Sequence, residues 1–315
     1  MGKLKALLLT EGMHGMISQV EGMAKALNTE YTHKIVRLSF PWNLIPPKFT
    51  PVSQIVLKDK IYITENETPD IIISCGRKSV IPSIFLKRKN SKIFTIHIQD
   101  PKVNFNNFDA IVAPEHDNLK GENIYTSKGA IHYITEPEIS KAKQYLYDKI
   151  EGEKIVSLIL GGPNKYYSFK SNQIIKIFNK IKSIFVSNGY KIIVIPSMRT
   201  PKEIIDLATK EMGSCSHVVN KVDKQAYLSA YALANYVVVT CDSTSMISEA
   251  ATSGKPIFVA HMKTKKNNYR FKRFFELFKQ MGITRDLGEK VETWTYNKHN
   301  EAQRIATEIK NKIKN

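Results

Sequence analysis

Residues 237–260, VVVTCDSTSMISEAATSGKPIFVA, read in order as a buried strand, a polar turn, a short helix, a glycine stop and a second strand. The three valines that open the stretch are β-branched and apolar, as in a parallel-sheet strand that is buried on both faces. A helix is predicted over residues 246–253, because Gly254 suits the position that follows a helix end. A strand, a helix and a strand in this order predict an α/β fold built on a parallel sheet.

The polar turn of this stretch predicts an anion site. Asp242 or Ser243 can cap the helix. The backbone amides of Ser243, Thr244 and Ser245 would then be free to bind a phosphate group. Glu249 follows among small residues, and its carboxylate could accept both hydroxyls of a ribose. A solvated Glu on an exposed helix face explains the same pattern.

The length and composition predict two domains. The chain has 315 residues, 42% of them hydrophobic, which suits two globular domains that each bury a core. We expect an N-terminal α/β domain over residues 1–145, a C-terminal α/β domain over residues 146–298, and a helix over residues 299–315 that can pack back on the first domain. No run approaches the roughly 20 apolar residues that span a bilayer. The N-terminal segment MGKLKALLLTEG is interpreted as a first strand and not as a signal peptide.

The charge balance favours an anionic partner. Lys and Arg number 47 against 29 Asp and Glu, a formal net charge of +18. Such an excess attracts phosphorylated small molecules, anionic lipid or nucleic acid, although codon bias in an AT-rich genome would also produce it. The sequence has no arginine-rich arm, aromatic RNA-binding motif or metal-ligand spacing, so we expect neither a nucleic-acid partner nor a metal. An anionic membrane surface remains a candidate partner.

The cysteines indicate the compartment. Cys75, Cys215 and Cys241 are odd in number and far apart in the chain, which favours a reducing environment without structural disulfides. We therefore expect a cytoplasmic protein, with peripheral association at the inner face of the membrane as the accompanying hypothesis.

Polar clusters follow most of the predicted strands of the first half, and ligands bind at that edge of an open parallel sheet. The segment EGMHGMISQ, residues 11–19, follows the first strand, and the first helix is predicted to begin near residue 18. GRKS at residues 76–79 places two cations beside a glycine, which suits an anion or a solvated first turn equally. The residues predicted to line the N-terminal side of the site are Gly12, Gly15, Gln19, Arg77, Lys78 and Gln99.

A catalytic base is expected from the first half. His14 has an unperturbed pKa of about 6.5, which suits a general base, although it could merely hydrogen-bond its own loop. The polar cluster after FDAIVAP supplies the other candidates, Glu115, His116 and Asp117. The sequence does not choose among these four residues.

The second half repeats the arrangement of strand, glycine turn and helix. LGGPNKYY, residues 160–167, places Gly161 and Gly162 at a strand end, which indicates close backbone approach to a ligand. Arg199 follows a later strand and could bind a diphosphate through two parallel hydrogen bonds. The predicted nucleotide-sugar-binding residues are Gly161, Gly162, Asn164, Lys165, Arg199, Ser243, Thr244, Ser245 and Glu249.

Two further segments carry aromatic and basic residues together. The tongue, residues 39–51 (SFPWNLIPPKFTP), is expected to fold over its own core, with contact to a membrane or an acceptor as the alternative. A basic amphipathic helix is predicted over residues 268–281, and it suits packing at a domain edge better than a membrane face.

Two consecutive α/β halves with a glycine loop after each first strand resemble the GT-B glycosyltransferase architecture. The resemblance implies two Rossmann-like domains facing across a cleft, with the nucleotide-sugar donor mainly on the second half and the acceptor on the first. DSTSMISEAATSGKP is similar to the donor motif of the transferase that adds N-acetylglucosamine in peptidoglycan synthesis. That similarity implies phosphate contact by the turn and ribose contact by Glu249.

The chain more closely resembles the mitochondrial-fission Elm-type family, whose bacterial members are commonly described as candidate glycosyltransferases. The segments that carry the resemblance are GRKS, IQDP, FDAIVAPEHD, LGGPNKYY, SMRTP and TCDSTSMISEAATSGKP. The N-terminal loop departs from the family's usual DGKAGHxxQ: Glu11, Gly12, Gly15 and Gln19 fit, whereas Met16 replaces the family's His. His14 lies two places earlier, which weakens its assignment as the base.

These observations favour a metal-independent glycosyltransferase that uses a nucleotide-diphosphate sugar as substrate, needs no cofactor and acts on a membrane or cell-envelope acceptor. A non-catalytic adaptor that keeps a degenerate GT-B fold and binds a protein partner is the alternative that the plant fission relatives imply. A nucleotide-sugar epimerase on the same fold is a further alternative, and it would need several acids in the cleft.

Overall fold

The computed structural model describes residues 3–64, 67–150 and 154–313. The chain divides into two compact units. Unit 1 contains the chain up to Tyr133 together with the segment from Glu301, and unit 2 is Ile134–Asn300. The predicted boundary near residue 145 therefore falls inside unit 2.

Unit 1 is built on a parallel six-stranded sheet in the order β2-β1-β3-β4-β5-β6. Its strands are short runs of β-branched and apolar residues, and the central ones are buried because helices cover such sheets on both faces. The strands are β1 (Lys5–Thr10), β2 (Glu30–Ile35), β3 (Ile71–Cys75), β4 (Phe94–Ile98), β5 (Ala110–Pro114) and β6 (Ile124–Ser127). The helices are α1 (His14–Ala26), α2 (Val80–Lys89) and the C-terminal helix, α10 (Glu301–Ile313).

The C-terminal helix belongs to the core of unit 1. Ile305, Ala306 and Ile309 are buried in the same cluster as Val20 and Met23 of α1. Apolar residues at this spacing occupy one face of a helix, so α10 packs through that face and leaves its charged face outward.

Unit 2 carries a second parallel six-stranded sheet, in the order β12-β11-β10-β7-β8-β9. Its strands are β7 (Ile155–Leu160), β8 (Lys191–Pro196), β9 (Ser216–Val218), β10 (Tyr236–Thr240), β11 (Ile257–Ala260) and β12 (Thr284–Asp286). Its helices are α3 (Glu136–Ala142), α4 (Gln144–Tyr147), α5 (Ser171–Ile184), α6 (Lys202–Met212), α7 (Lys224–Leu233), α8 (Thr244–Ala251) and α9 (Tyr269–Gln280). The sequence did not predict α3 and α4, whose Ile139, Ala142 and Leu146 are buried.

Strand order reverses once in each sheet. In unit 1 the chain leaves β1 for β2 on one side and returns to β3 on the other. In unit 2 the reversal lies between β7 and β10. Ligands of open α/β sheets bind beyond the carboxyl ends of the strands at such a reversal. We therefore name the carboxyl ends of β1 and β3 edge 1, and those of β7 and β10 edge 2.

Some element boundaries differ from the prediction. Helix α1 begins at His14, about one turn before the expected start, so Gly15 lies inside the helix. The basic helix α9 buries Phe274 and Phe278, in agreement with the predicted packing role.

Candidate functional site

A buried carboxylate organises edge 2. Asp242 follows β10 and is only 2% exposed. Its Oδ1 accepts from the Thr240 hydroxyl at 2.7 Å, and its Oδ2 accepts from the Gly162 amide at 2.9 Å and from the Arg199 guanidinium at 2.8 Å. Buried charge is tolerated only when it is paired and hydrogen-bonded, and Asp242 meets both conditions. Asp242 therefore joins the ends of β7, β8 and β10.

The two glycines after β7 allow this close approach. A Cβ on Gly161 would lie 2.0 Å from Asp242 Oδ2, and one on Gly162 would lie 2.0 Å from the Arg199 carbonyl oxygen. Such distances are far inside van der Waals contact, so any side chain would displace the carboxylate or the backbone of residue 199. Gly161 and Gly162 thus leave room for the Asp242 carboxylate and the Arg199 backbone. The sequence had predicted that they leave room for a ligand.

Arg199 is directed toward the protein at edge 2. Besides Asp242, its guanidinium donates to the Gly162 carbonyl at 2.7 Å and weakly to the Pro163 carbonyl at 3.4 Å. The side chain is 39% exposed, so part of it also faces solvent at this edge. Its predicted contact with a diphosphate stays a prediction.

Asn164 fixes the loop that leaves β7. Its side-chain oxygen accepts from the amides of Tyr166 and Tyr167 at 2.8 and 3.0 Å, and its side-chain nitrogen donates to the Asp242 carbonyl at 2.9 Å. Lys165 is exposed and lies over the Tyr166 ring, with the ammonium 4.8 Å from the ring centroid. The ammonium of Lys265 donates to the Asn164 carbonyl at 3.0 Å and adds a second cation.

Helix α8 begins at edge 2. The Ser243 hydroxyl accepts from the Met246 amide at 3.4 Å, so Ser243, and not Asp242, is the N-cap. Thr244 and Ser245 form the first turn and are partly exposed. Because the first amides of a helix have no intrahelical acceptor, this end can bind an anion.

Glu249 lies on α8 and is held by a pair of tyrosines. The Tyr227 hydroxyl donates to Glu249 Oε2 at 2.6 Å, and the Tyr231 hydroxyl donates to the Tyr227 hydroxyl at 2.7 Å. Burial raises the pKa of Glu249 to about 7, and the hydrogen bond from Tyr227 opposes part of that rise. A carboxyl group that titrates near neutrality at a sheet edge is typical of functional sites. The alternative of a solvated Glu is wrong.

The tyrosines were missed by the sequence analysis. Tyr227 and Tyr231 lie four residues apart on α7, and that spacing places them on one helix face. This spacing was the available signal. Nothing in the local sequence of α7, however, indicates that the face is turned toward Glu249.

Edge 1 has a different construction. Glu11 follows β1, and its carboxylate accepts from the Lys78 amide and pairs with the Lys78 ammonium, each at 3.1 Å. Gly12 and Gly76 have φ angles of +86° and +92°, which favour glycine. Gly15 has open space around the position of a Cβ.

An amide cluster lies beside this ion pair. The side-chain oxygen of Gln19 accepts from the Cys75 thiol and from the Gln99 side-chain nitrogen, both at 3.2 Å. Gln99 has a φ of +86°, a costly conformation for a residue with a side chain, and such outliers concentrate at functional sites. Burial raises the pKa of Cys75, which keeps this thiol neutral. The structure therefore brings Gln19 and Gln99, both predicted from sequence, into contact.

Arg77 has a structural role in unit 1. Its guanidinium donates to the Ile45 carbonyl at 2.9 Å and to the Asn43 carbonyl. Both carbonyls belong to the tongue, so Arg77 ties the tongue to the end of β3.

The four candidate bases fall at two places. His14 opens α1 beside edge 1, is exposed, and meets the Tyr133 ring edge-on at a centroid distance of 6.4 Å. Glu115, His116 and Asp117 form a turn after β5. Three strand spacings separate β1 from β5, about 14 Å. The geometry thus separates His14 from the other three candidates.

Within residues 3–64, 67–150 and 154–313, no helix is long and apolar enough to cross a membrane. In the same residues, no group of three or more His, Cys, Asp or Glu side chains could hold a metal ion.

The model of the family described as Mitochondrial fission ELM1 matches residues 14–313. The chain belongs to this family. Uncharacterized protein RP120 of Rickettsia prowazekii (strain Madrid E) is 26% identical in an alignment of 339 positions, which covers 92% of the chain and 94% of that protein. Mitochondrial fission protein ELM1 of Arabidopsis thaliana is 24% identical in an alignment of 283 positions, which covers 79% of the chain and 65% of the plant protein.

Several solved structures have a similar fold. A UDP-GlcNAc 2-epimerase from Methanocaldococcus jannaschii has a TM-score of 0.53 at 13% identity, covering 98% of this ELM1-family chain and 99% of that one. MurG from Acinetobacter baumannii has a TM-score of 0.51 at 11% identity, covering 100% and 91% of the two chains. Identities this low establish the fold alone. The predicted α/β fold of GT-B type and the predicted family are thus confirmed.

Proposed function

We propose that this ELM1-family protein is a metal-independent glycosyltransferase that binds a nucleotide-diphosphate sugar at edge 2. The acceptor in this proposal is a hydroxyl group of a membrane or cell-envelope molecule. The acceptor oxygen forms a bond to the anomeric carbon of the sugar, the bond from that carbon to the diphosphate breaks, and a base takes the acceptor proton.

The state of Glu249 carries the proposal. Tyr227 occupies Oε2 of the carboxylate, and among the described residues Oε1 is left to accept a ribose hydroxyl. Burial that raises the pKa of Glu249 to about 7 would strengthen a hydrogen bond made in this low-dielectric position. A freely solvated Glu on a helix face would not make this contact with the two tyrosines.

The groups around Glu249 support a diphosphate at the same edge. Helix α8 directs the amides near Ser243, Thr244 and Ser245 toward solvent beyond β10, and Lys165 and Lys265 lie on the loops beside them. Amide dipoles and cations that are fixed before the reaction stabilise a leaving diphosphate without a metal ion. Among the four candidate bases, His14 is the one nearest edge 1.

Thermal-shift measurements with UDP-, GDP-, ADP- and CMP-sugars test the donor. A ligand at a hundred times its dissociation constant should stabilise the protein by about 2.7 kcal/mol. Glu249→Gln keeps the shape of the side chain but replaces an acceptor by a donor, and it should abolish the shift. Glu203→Ala, on the exposed face of α6, should leave the shift intact.

The relatives support two other outcomes of this test. The Arabidopsis relative is named as a fission protein, which supports an adaptor that binds other proteins. If no nucleotide sugar shifts the melting of the wild-type protein, the glycosyltransferase proposal is wrong and the adaptor interpretation gains. If a nucleotide sugar binds and its sugar is converted to an epimer without transfer, the epimerase alternative replaces the glycosyltransferase proposal. The similar fold of the UDP-GlcNAc 2-epimerase supports that alternative.

A further inference from the structure

The tongue exposes large apolar side chains that a folded loop would normally cover. Phe40, Leu44 and Phe49 are 80%, 71% and 66% exposed, and Ile55, just beyond the tongue, is 71% exposed. Single exposed apolar residues are ordinary, but four large ones within 16 residues are not. The expectation that the tongue covers its own core holds for Trp42, which packs against the unit 1 core, and is wrong for Leu44 and Phe49.

The tongue is a fixed structure. Its first residue, Ser39, donates its amide to the carbonyl of Val56, five residues beyond the tongue, at 2.9 Å, and its tip is closed by turns around Pro46. The Thr50 hydroxyl donates to the Pro46 carbonyl at 3.1 Å, and Arg77 holds the middle of the tongue through its guanidinium. Because the backbone is hydrogen-bonded in this way, the apolar side chains project from a preformed loop.

Basic residues accompany the exposed apolar ones. The ammonium of Lys48 lies 4.6 Å from the centroid of the Phe49 ring, at the tip of the tongue. Lys58 and Lys60 are exposed just beyond Ile55, with Asp59 between them paired to Arg37. Residues 37–60 thus contain four Lys and Arg but one acidic residue. Apolar side chains flanked by cations are the pattern of proteins that bind the interface of an anionic bilayer.

We propose that the tongue, with Ile55 and the lysines at positions 48, 58 and 60, inserts into the interface of an anionic lipid bilayer. The occupant is lipid, because the charge of the segment is complementary to anionic headgroups and its aromatic and aliphatic side chains suit the acyl boundary. Since Arg77 links the tongue to the end of β3, insertion would bring edge 1 to the membrane surface. The proposal does not depend on nucleotide-sugar binding, although it agrees with a membrane acceptor.

The test is co-sedimentation of the full chain with vesicles of phosphatidylcholine alone or with 30 mol% phosphatidylglycerol, a composition chosen as roughly that of an anionic membrane surface. We expect binding to the anionic vesicles that weakens as salt is raised. Leu44→Ser combined with Phe49→Ser should lower the partition coefficient at least about tenfold, because each side chain loses its transfer into the acyl boundary. Tyr147→Ser combined with Val222→Ser, at sites 54% and 55% exposed in unit 2, should not change it.

Two further measurements keep the outcome decisive. Lys48→Glu combined with Lys58→Glu should reduce binding to anionic vesicles and leave the melting temperature unchanged, since both side chains are exposed. The thermal shift with a nucleotide sugar is measured on every variant, so loss of membrane binding and loss of donor binding are told apart. Equal binding by the tongue variant and the wild type would overturn the proposal. So would a dimer in solution that the tongue variant abolishes, because the occupant would then be a second copy of the chain.

Discussion

Edge 1 and edge 2 occupy equivalent places in two similar sheets, yet they are built in different ways. At edge 2 a buried carboxylate joins three strand ends, and a second carboxyl group titrates near neutrality on a helix beside it. At edge 1 the ion pair between Glu11 and Lys78 is partly exposed, and the neighbouring polar groups are uncharged amides. One topology thus supports a buried, charged site in unit 2 and a more solvated one beside the tongue in unit 1.

The largest effect that would distinguish the two edges is expected at Asp242. Asp242→Asn weakens the bonds from Gly162 and Arg199 and leaves a buried amide beside the guanidinium. We expect the free energy of unfolding in urea to fall by about 3 kcal/mol, because the buried carboxylate loses its charge-assisted hydrogen bonds from Gly162 and Arg199.

Asp59→Asn is the matched control, because it removes an exposed ion pair with Arg37. It should cost less than about 1 kcal/mol. Equal losses for the two variants would mean that Asp242 does not organise edge 2.

The pH dependence of Glu249 is expected to come next in size. Because the pKa of Glu249 in the folded protein is raised from 4.5 to about 7, the folded state holds a proton that the unfolded state releases between these values. Stability should therefore fall as pH rises from about 4.5 to about 7, by at most about 2 kcal/mol because the side chain is partly exposed, and stay level above that range. Urea titrations at several pH values measure this, and Glu249→Gln should remove the slope.

Nucleotide binding should follow the opposite trend. The ribose contact needs the carboxylate, so affinity should rise as pH passes through about 7, the pKa of free Glu249. Affinity that is flat between pH 6 and 8 would count against Glu249 as the ribose ligand.

Substitutions of one glycine at each edge are expected to change stability in opposite directions. Gly161→Ala places a methyl group 2.0 Å from Asp242 Oδ2, and overpacking of this kind costs about 1–3 kcal/mol. Gly15→Ala meets no atom within 4 Å and lies in α1, so it should stabilise by up to about 1 kcal/mol. Thermal unfolding of both variants measures the pair, and changes of the same sign would refute the contrast.

Tyr227→Phe gives the smallest of these contrasts, and it is measured by titration and not by stability. It removes the hydrogen bond that opposes the rise in the pKa of Glu249, so this pKa should increase from its value of about 7. The pH at which nucleotide affinity is half-maximal should move upward with it. Tyr145→Phe, which breaks a comparable hydrogen bond to Asp223 on the surface of unit 2, is the control and should leave that pH unchanged.

Parts of the candidate site were predictable from the sequence because they follow from local chemistry. The small polar run at residues 242–245 predicted a helix N-terminus, since serine and aspartate there accept hydrogen bonds from free amides. The roles of Asp242 and of the two glycines were not predictable in this way. Asp242 looked like a cap, and the glycines looked like ligand contacts, because the residues that fill those positions come from distant strands.

The α/β class, the places of most strands and helices, and the family follow from the amino-acid sequence alone. This is possible because short β-branched runs, helical periodicity and glycine stops are local features that each segment carries. The three-dimensional fold was needed to establish that Tyr227 binds Glu249, that Arg199 is held by Asp242, and that Phe40, Leu44 and Phe49 of the tongue stay exposed. Those contacts depend on which strand ends and helix faces meet across the sheet, and no local pattern encodes that choice.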